Sequence, residues 1–296
     1  MITGDLLVDL LVLGLIQGVL IAPMAMGFSI TVGAGGFWYL GYGGAFLVSG
    51  YAAYELANAG TGRIVSMLGA MVAGALYTLL CEVGIHRVLR KRKVSPTVMF
   101  VSSLGLLTVV TSVIQILYSE ESVLVNWGLA SHVIRFGPVI TNLLALVLSC
   151  VCVVALGVAG WWLLRTRSGR LTQAISEDVT TARVVGIDVD RTRAIAFAVA
   201  GALVAPTAVA IGADTGLTPD TALNYVLIAA TATILGGITK PLGAIVGCVV
   251  ILVLESVGGG IWSTEWEPVF AFGVLILVIL FRPTGLFGAR IWHAHV

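Results

Sequence analysis

The chain has 296 residues, 58% of them hydrophobic and only 10% charged, with a mean hydropathy of +1.05, whereas soluble domains carry roughly 25% charged residues. This excludes a water-soluble globule and fits one all-α, polytopic transmembrane domain over residues 1–296, rich in the Gly and Pro that membrane helices tolerate. The net charge of +1 conceals a strong segregation of sign along the chain.

The first apolar run, about 6–32, follows Asp5 with no Lys or Arg before it. It lacks the basic start of a cleaved signal peptide and is expected to stay as a span. Further runs fall at about 37–58, 64–84, 97–118, 139–164, 194–212, 221–237, 242–258 and 268–281. Since 221–237 and 268–281 are shorter than the ~20 residues of a full crossing, eight to nine spans are expected. Ser95-Pro96 reads as an N-cap followed by proline at the first helical position. Pro23 and Pro206 interrupt apolar runs and predict kinks, each freeing a carbonyl four residues earlier. Cys81, Cys150, Cys152 and Cys248 sit in apolar runs without metal-ligand spacing and read as small packing residues.

Basic residues gather at 86–93 and 165–193. Between apolar runs this is a positive-inside signature rather than a nucleic-acid surface. With both loops in the cytoplasm, alternation of sides leaves only Arg63 and Arg135 outside among the 16 Lys and Arg. The same alternation puts Asp5, Asp9, Glu55, Glu120, Glu121, Asp214, Asp220, Glu265 and Glu267 at the outer face. No P-loop, HExxH or GxSxG is present, and acidic residues fall near segment ends, so neither nucleotide binding, hydrolysis nor a midplane proton relay is expected of this chain.

The segment 176–186 stands out. Ser176 is expected to cap a helix of about nine residues with Glu177 and Asp178 in its first turn, favourable at the positive end of the dipole. Val179, Ala182 and Val185 follow at i, i+3, i+6 as one apolar face, and Gly186 suits the C′ position.

Here a resemblance enters. Thr180-Thr181-Ala182 with Gly186 resembles the EAA-x-x-x-G loop by which permeases of ABC importers engage their ATPases, with the Glu and first Ala replaced. Gly169-Arg170 and Val185-Gly186-Ile187-Asp188-Val189-Asp190-Arg191 resemble the cytoplasmic loop of branched-chain amino-acid ABC importer permeases. Leu235-Gly236-Gly237 followed by Pro241-Leu242-Gly243-Ala244 and Gly247 resembles that family's LGG-x-x-x-x-PGA-x-x-G. The stretch Phe281-Arg282-Pro283-Thr284-Gly285-Leu286-Phe287-Gly288 resembles its FRPxGLFG.

The resemblance implies a multi-pass permease subunit of the bacterial plasma membrane, not itself an enzyme. It would carry a small polar solute, an amino acid or a related amide, inward by alternating access. It implies separate ABC ATPase subunits that bind the ATP, so no cofactor in this chain, together with a second homologous permease and an extracytoplasmic solute-binding protein. Glu177, Asp178, Val179, Ala182, Val185 and Gly186 would couple to the ATPase through the loop 165–193. The family's Asn and His before its NFAHG glycine are Tyr39 and Tyr42 here. A solute path is expected past a glycine-rich break at Gly41–Gly44, including Tyr39, Tyr42 and Gly43, past the Pro206 kink, and past Asn224, Thr231 and Thr233. The alternative reading is a stand-alone secondary transporter or channel.

Overall fold

A computed structural model describes residues 4–119, 122–125, 133–136, 139–261, 273, 276, 280 and 285–287. Helix α1 spans Gly4–Gly35 and carries Pro23 inside it; α2 covers Tyr42–Asn58. Helix α3, Arg63–Cys81, passes through a π turn at Glu82–His86 into α4, Arg87–Lys91. Helix α5, Pro96–Tyr118, begins as expected, with the Ser95 hydroxyl accepting from the Val98 amide. After an antiparallel hairpin (β1 Val133–Phe136, β2 Val139–Asn142) come α6 Leu143–Arg165, α7 Arg167–Glu177 and α8 Val179–Val184. The chain continues through α9 Val189–Asp214, with Pro206 inside, α10 Thr221–Gly236 and α11 Pro241–Ile261.

Six of these helical stretches are long and apolar enough to cross a membrane, and α10 is a shorter apolar helix. Residues 139–142 were expected to open a helix but form β2, consistent with the strand preference of the β-branched Val139, Ile140 and Thr141. Most of the expected run 268–281 lies outside the described residues, as do Glu120, Glu121, Glu265, Glu267 and Phe281–Thr284. Cys81, Cys152 and Cys248 are buried as packing residues should be, whereas Cys150 is exposed.

The two proline-bearing helices, α1 and α9, pack on each other at the centre. Each receives the other's partners: α2 and α3 lie on α9, while α10 and α11 lie on α1. The long–short–long order α1-α2-α3 thus recurs as α9-α10-α11. Because α1 runs toward the basic loops and α9 runs away from them, the two halves have opposite sense, an inverted-repeat arrangement.

Side-chain donors seal the crossings. Thr207 donates to the Leu20 carbonyl (2.7 Å), one residue past the carbonyl freed by Pro23, and Thr78 of α3 donates to Phe197 of α9 (2.8 Å). Between α3 and α9 the backbones nearly touch. A Cβ on Gly74 would strike the Gly201 carbonyl, and one on Gly201 would strike that of Gly74. Between α10 and α11 the same role falls to Gly243 and Gly247, against Gly236 and the Ala232 carbonyl. Such contacts matter because lipid is as apolar as leucine, which leaves close packing to hold membrane helices together.

The ends of the bundle are chemically distinct. At one, Arg87 meets Asp190 (3.1 Å), Arg193 donates to the Ala34 carbonyl (2.8 Å) and Lys240 meets Glu177 (3.2 Å), so both basic loops share one basic end. At the other, Val123 pairs with Leu217 and the Tyr118 hydroxyl donates to Glu55 (2.8 Å). Replacing Gly74 with Val should cost at least about 3 kcal/mol, because the obstacle is backbone that cannot repack. By contrast Gly157, with open space where its Cβ would be, should accept Ala. Thermal unfolding of the purified variants in detergent measures the difference.

Candidate functional site

The connection from α6 to α9 holds two helices in place of the single one expected at 176–186. Thr166 caps α7 by accepting from the Gly169 amide (3.1 Å). That helix packs on α1, α6 and α9 and continues to Glu177. Ser176 is therefore not a cap: it lies in the last turn of α7, its hydroxyl donating to the Thr172 carbonyl (2.9 Å). Gly33 of α1 leaves it room, since a Cβ there would come within 2.8 Å of its hydroxyl. Glu177 ends α7 rather than opening the next helix, and it pairs with Lys240.

Asp178 makes the break. Its extended backbone turns the chain, and its carboxylate accepts from the Thr180 amide (2.7 Å) and the Thr181 hydroxyl (2.5 Å), which caps α8. The Thr181 hydroxyl and the amides of Thr180 and Thr181 hold this carboxyl below its usual range. At the other end Gly186 adopts φ +87°, the left-handed conformation that glycine enters without a Cβ penalty. Its amide reaches Arg183 (3.0 Å) and that of Ile187 reaches Ala182 (3.0 Å), the two bonds of a Schellman motif. Gly186 is thus the C′ residue, as expected.

The apolar face does not run as expected. Ala182 is buried and Val179 half-buried, both turned toward the bundle, but Val185 lies past the helix end and is 75% exposed. Val184 beside it is 85% exposed. Two adjacent valines therefore project from the basic end on a helix capped at both ends, a pair that the i, i+3, i+6 spacing overlooked.

A cavity of about 780 Å³ opens beside this loop. Its walls come from the end of α1 and the following turn (Gly36, Phe37, Trp38, Leu40), the start of α5 (Thr97, Phe100), Ser176 of α7 and α10 (Leu227, Thr231, Ile234). No charged side chain lines it, and its polar groups are mainly the hydroxyls of Thr97, Ser176, Thr231 and Thr239. Leu227, Thr231 and Ile234 recur every three or four residues, so a single face of α10 forms one wall.

Of the residues expected along a solute path, Thr231 lines this cavity and the others do not. Tyr42 is fully buried, its hydroxyl donating to the Ala200 carbonyl (2.7 Å) in the space that Gly27 leaves open. Tyr39 is fully buried against Phe37, His86 and Phe197. Thr233 donates to Ala229 (2.8 Å) and Ala25 (3.3 Å), Pro206 is buried within α9, and Asn224 is exposed on α10. The break itself lies at residues 36–41, ahead of the expected position, and Gly43 already belongs to α2, where it brings the helix against the Ala222 carbonyl of α10. Trp38 and Leu40 rather than the tyrosines face the cavity, because α2 begins at Tyr42 and turns its first residues inward.

A polytopic helical permease is the class that this bundle, its inverted halves and its capped basic loop define. Residues 10–279 match the family model described as the branched-chain amino acid transport system permease component, and the chain belongs to that family. It is 28% identical to the high-affinity branched-chain amino acid transport system permease protein BraD of Pseudomonas aeruginosa, over 94% of each chain. It is 26% identical to LivH of Escherichia coli K12, a permease protein of the same description, over 93% of each. With the fructose import permease protein FruG of Bifidobacterium longum it shares 25% identity over 81% of this chain and 73% of that one. The protein is a multi-pass plasma-membrane permease.

The Asp178 cap has a defined pH dependence. Because the folded carboxyl is depressed, its support of α8 is complete above the ordinary carboxylate range and is lost as pH falls through the lower folded value. Protection of the amides at 180–184, taken relative to the intrinsic exchange rate at each pH, should fall in acid for the native chain. Asp178→Asn should stay protected without that pH response, and Asp178→Ala should exchange faster throughout.

Proposed function

We propose that this chain is the membrane subunit of an ATP-driven importer, with its basic end in the cytoplasm. The positive-inside asymmetry supports the orientation. Leu286 and Phe287 bond back to Leu235 and Gly236 at the basic end, which supports nine crossings in all. The observation that carries the reading is α8, with Asp178 before it, a Schellman glycine after it, and Val184 and Val185 exposed at its end. A helix fixed at both ends and presenting apolar side chains at the cytoplasmic surface is built to be gripped by another protein. That protein is the ATPase, whose closure on ATP moves the bundle between two cavities of opposite access.

The cavity bounded by Thr231 is the inward-facing part of the solute path. Its mixture of apolar wall and hydroxyls, without fixed charge, suits a small net-neutral solute such as an amino acid or an amide. A second permease subunit completes the path. Gly105, Thr108 and Ser112 succeed one another on an exposed face of α5, and Asn224 is exposed on α10, small and polar groups of the kind that membrane helices place in contacts with one another. An extracytoplasmic binding protein delivers the solute at the opposite end.

Val184→Asp combined with Val185→Asp should leave the permease inserted while ATPase subunits no longer co-purify, and ATP-dependent uptake should fall about tenfold or more, as expected when an interface anchor is lost. Undiminished co-purification overturns the docking role, and full uptake by vesicles that contain no ATPase overturns the importer reading. Thr231→Trp should fill the cavity, cutting uptake sharply with the ATPase still attached. Radiolabelled amino-acid uptake, measured alongside subunit stoichiometry, separates the two effects.

A further inference from the structure

Beneath the cavity wall lies a group of buried charged and aromatic side chains that solute contact does not explain. Glu82, His86 and Arg193 are each at most 4% exposed. Glu82 pairs with Arg90 across the π turn, and the His86 ring packs 5.0 Å from Phe37 and 5.1 Å from Tyr39. Charges at such depth are expensive and persist where they do something. A single π turn inside a helix is rare and concentrates at functional positions.

The arrangement connects two places already described. Past Gly186 the chain enters α9, capped by Asp188 accepting from the Arg191 amide (3.0 Å). From the first two turns of α9 two ties leave in different directions. Asp190 holds Arg87, at the start of α4 directly below the π turn (3.1 Å). Arg193 donates to the carbonyl of Ala34, in the last turn of α1 (2.8 Å). The turn that starts at Gly36, with φ +77°, therefore hangs between two segments both fastened to the start of α9. Its Phe37 faces the cavity on one side and the His86 ring on the other.

We infer that Asp190, Arg193 and His86 are positioning residues that carry movement of α8 to the Phe37–Leu40 wall of the cavity, a role that rests on the importer reading above. A displacement of α8 shifts the start of α9. Asp190 then pulls α4, Arg193 pulls the end of α1, and the π turn supplies a discrete alternative hydrogen-bond register for α3 and α4 to switch into. His86, clasped by Phe37, Tyr39 and Phe197, converts that switch into movement of the wall. The Arg87–Asp190 pair is half-exposed, and such pairs contribute little to stability, which leaves the tie available for transmission rather than folding.

The test uses the whole importer complex in proteoliposomes and reads uptake per ATP hydrolysed. Asp190→Asn and His86→Ala should each lower that ratio about tenfold, the scale of a typical coupling energy between sites, with ATPase stoichiometry and ATP hydrolysis unchanged. The double variant should be no worse than either single one, because one broken link suffices. His86→Phe, which keeps a ring between Phe37 and Tyr39, should retain most of the native ratio. Asp190 is partly exposed, so its variant carries the test even where a buried His86 substitution folds poorly. A native ratio in Asp190→Asn, loss of ATPase attachment in that variant, or a double variant whose loss is the product of the two singles overturns the proposal. Should the native chain recruit no ATPase at all, the importer reading fails, and this inference with it.

Discussion

A bilayer interior offers no water, so each polar group placed there has to be answered by the protein itself. The centre of this permease is organised by that constraint. Pro23 and Pro206 lie inside the two helices that cross there, and each leaves the carbonyl four residues earlier without its helical donor. Donors from other helices tie the backbones together in this region: Thr207 to Leu20, Thr78 to Phe197, Tyr42 to Ala200 and Thr233 to Ala25. Each such bond contributes only about 0.6 kcal/mol on average in a membrane protein, so they do not hold the bundle together by strength. They fix which face meets which, while the contacts at Gly74 and Gly201 bring the backbones close enough for dispersion to act.

Local patterns in the sequence were enough to place six apolar spans, the Ser95 cap, the Gly186 C′ position and the clustering of basic residues at one end. Each depends on interactions within a few residues, or on charge counted loop by loop. What escaped depends on distant partners. Ser176 and Asp178 are both competent caps, and the choice between them follows from α7 packing on α1, where Gly33 admits Ser176. Tyr39 and Tyr42 read as path residues because nothing near them in sequence reveals Gly27, Ala200 or His86 as neighbours. The cavity wall was missed for the same reason: which of Trp38 and Tyr39 faces it depends on how the turn at 36–41 sits against distant helices.

The buried charges show the reverse economy to the hydroxyls. Removing an ion pair from water costs several kcal/mol per ion, and the pair's attraction often fails to recover that cost. Glu82 with Arg90, and Arg193 on the Ala34 carbonyl, are therefore poor devices for stability. They are good devices for geometry, because an ion that has lost its water tolerates few arrangements of its partners. That they gather at the basic end, between α8 and the cavity wall, fits a need for definite positions there.

The opposite end is held differently. Val123 and Leu217 exchange backbone bonds of 3.0 and 2.9 Å, Val125 donates to Gly212 (2.9 Å), and the Tyr51 hydroxyl reaches Leu217 at 3.5 Å. Among the described residues no buried charge takes part in this closure. With a cavity at the basic end and bridged backbone at the other, the conformation is inward-facing on the proposed orientation. The inverted halves supply the complementary state in principle: whatever α1-α2-α3 does at one end, α9-α10-α11 is placed to do at the other. The two ends are nevertheless unequal, with buried ions at one and neutral backbone bridges beside tyrosine rings at the other. Opening the outer end breaks a few neutral hydrogen bonds of about 1 kcal/mol each, whereas rearranging the inner end moves buried charge. On the importer reading proposed above, an ATPase at the cytoplasmic surface acts on the end where charge is buried.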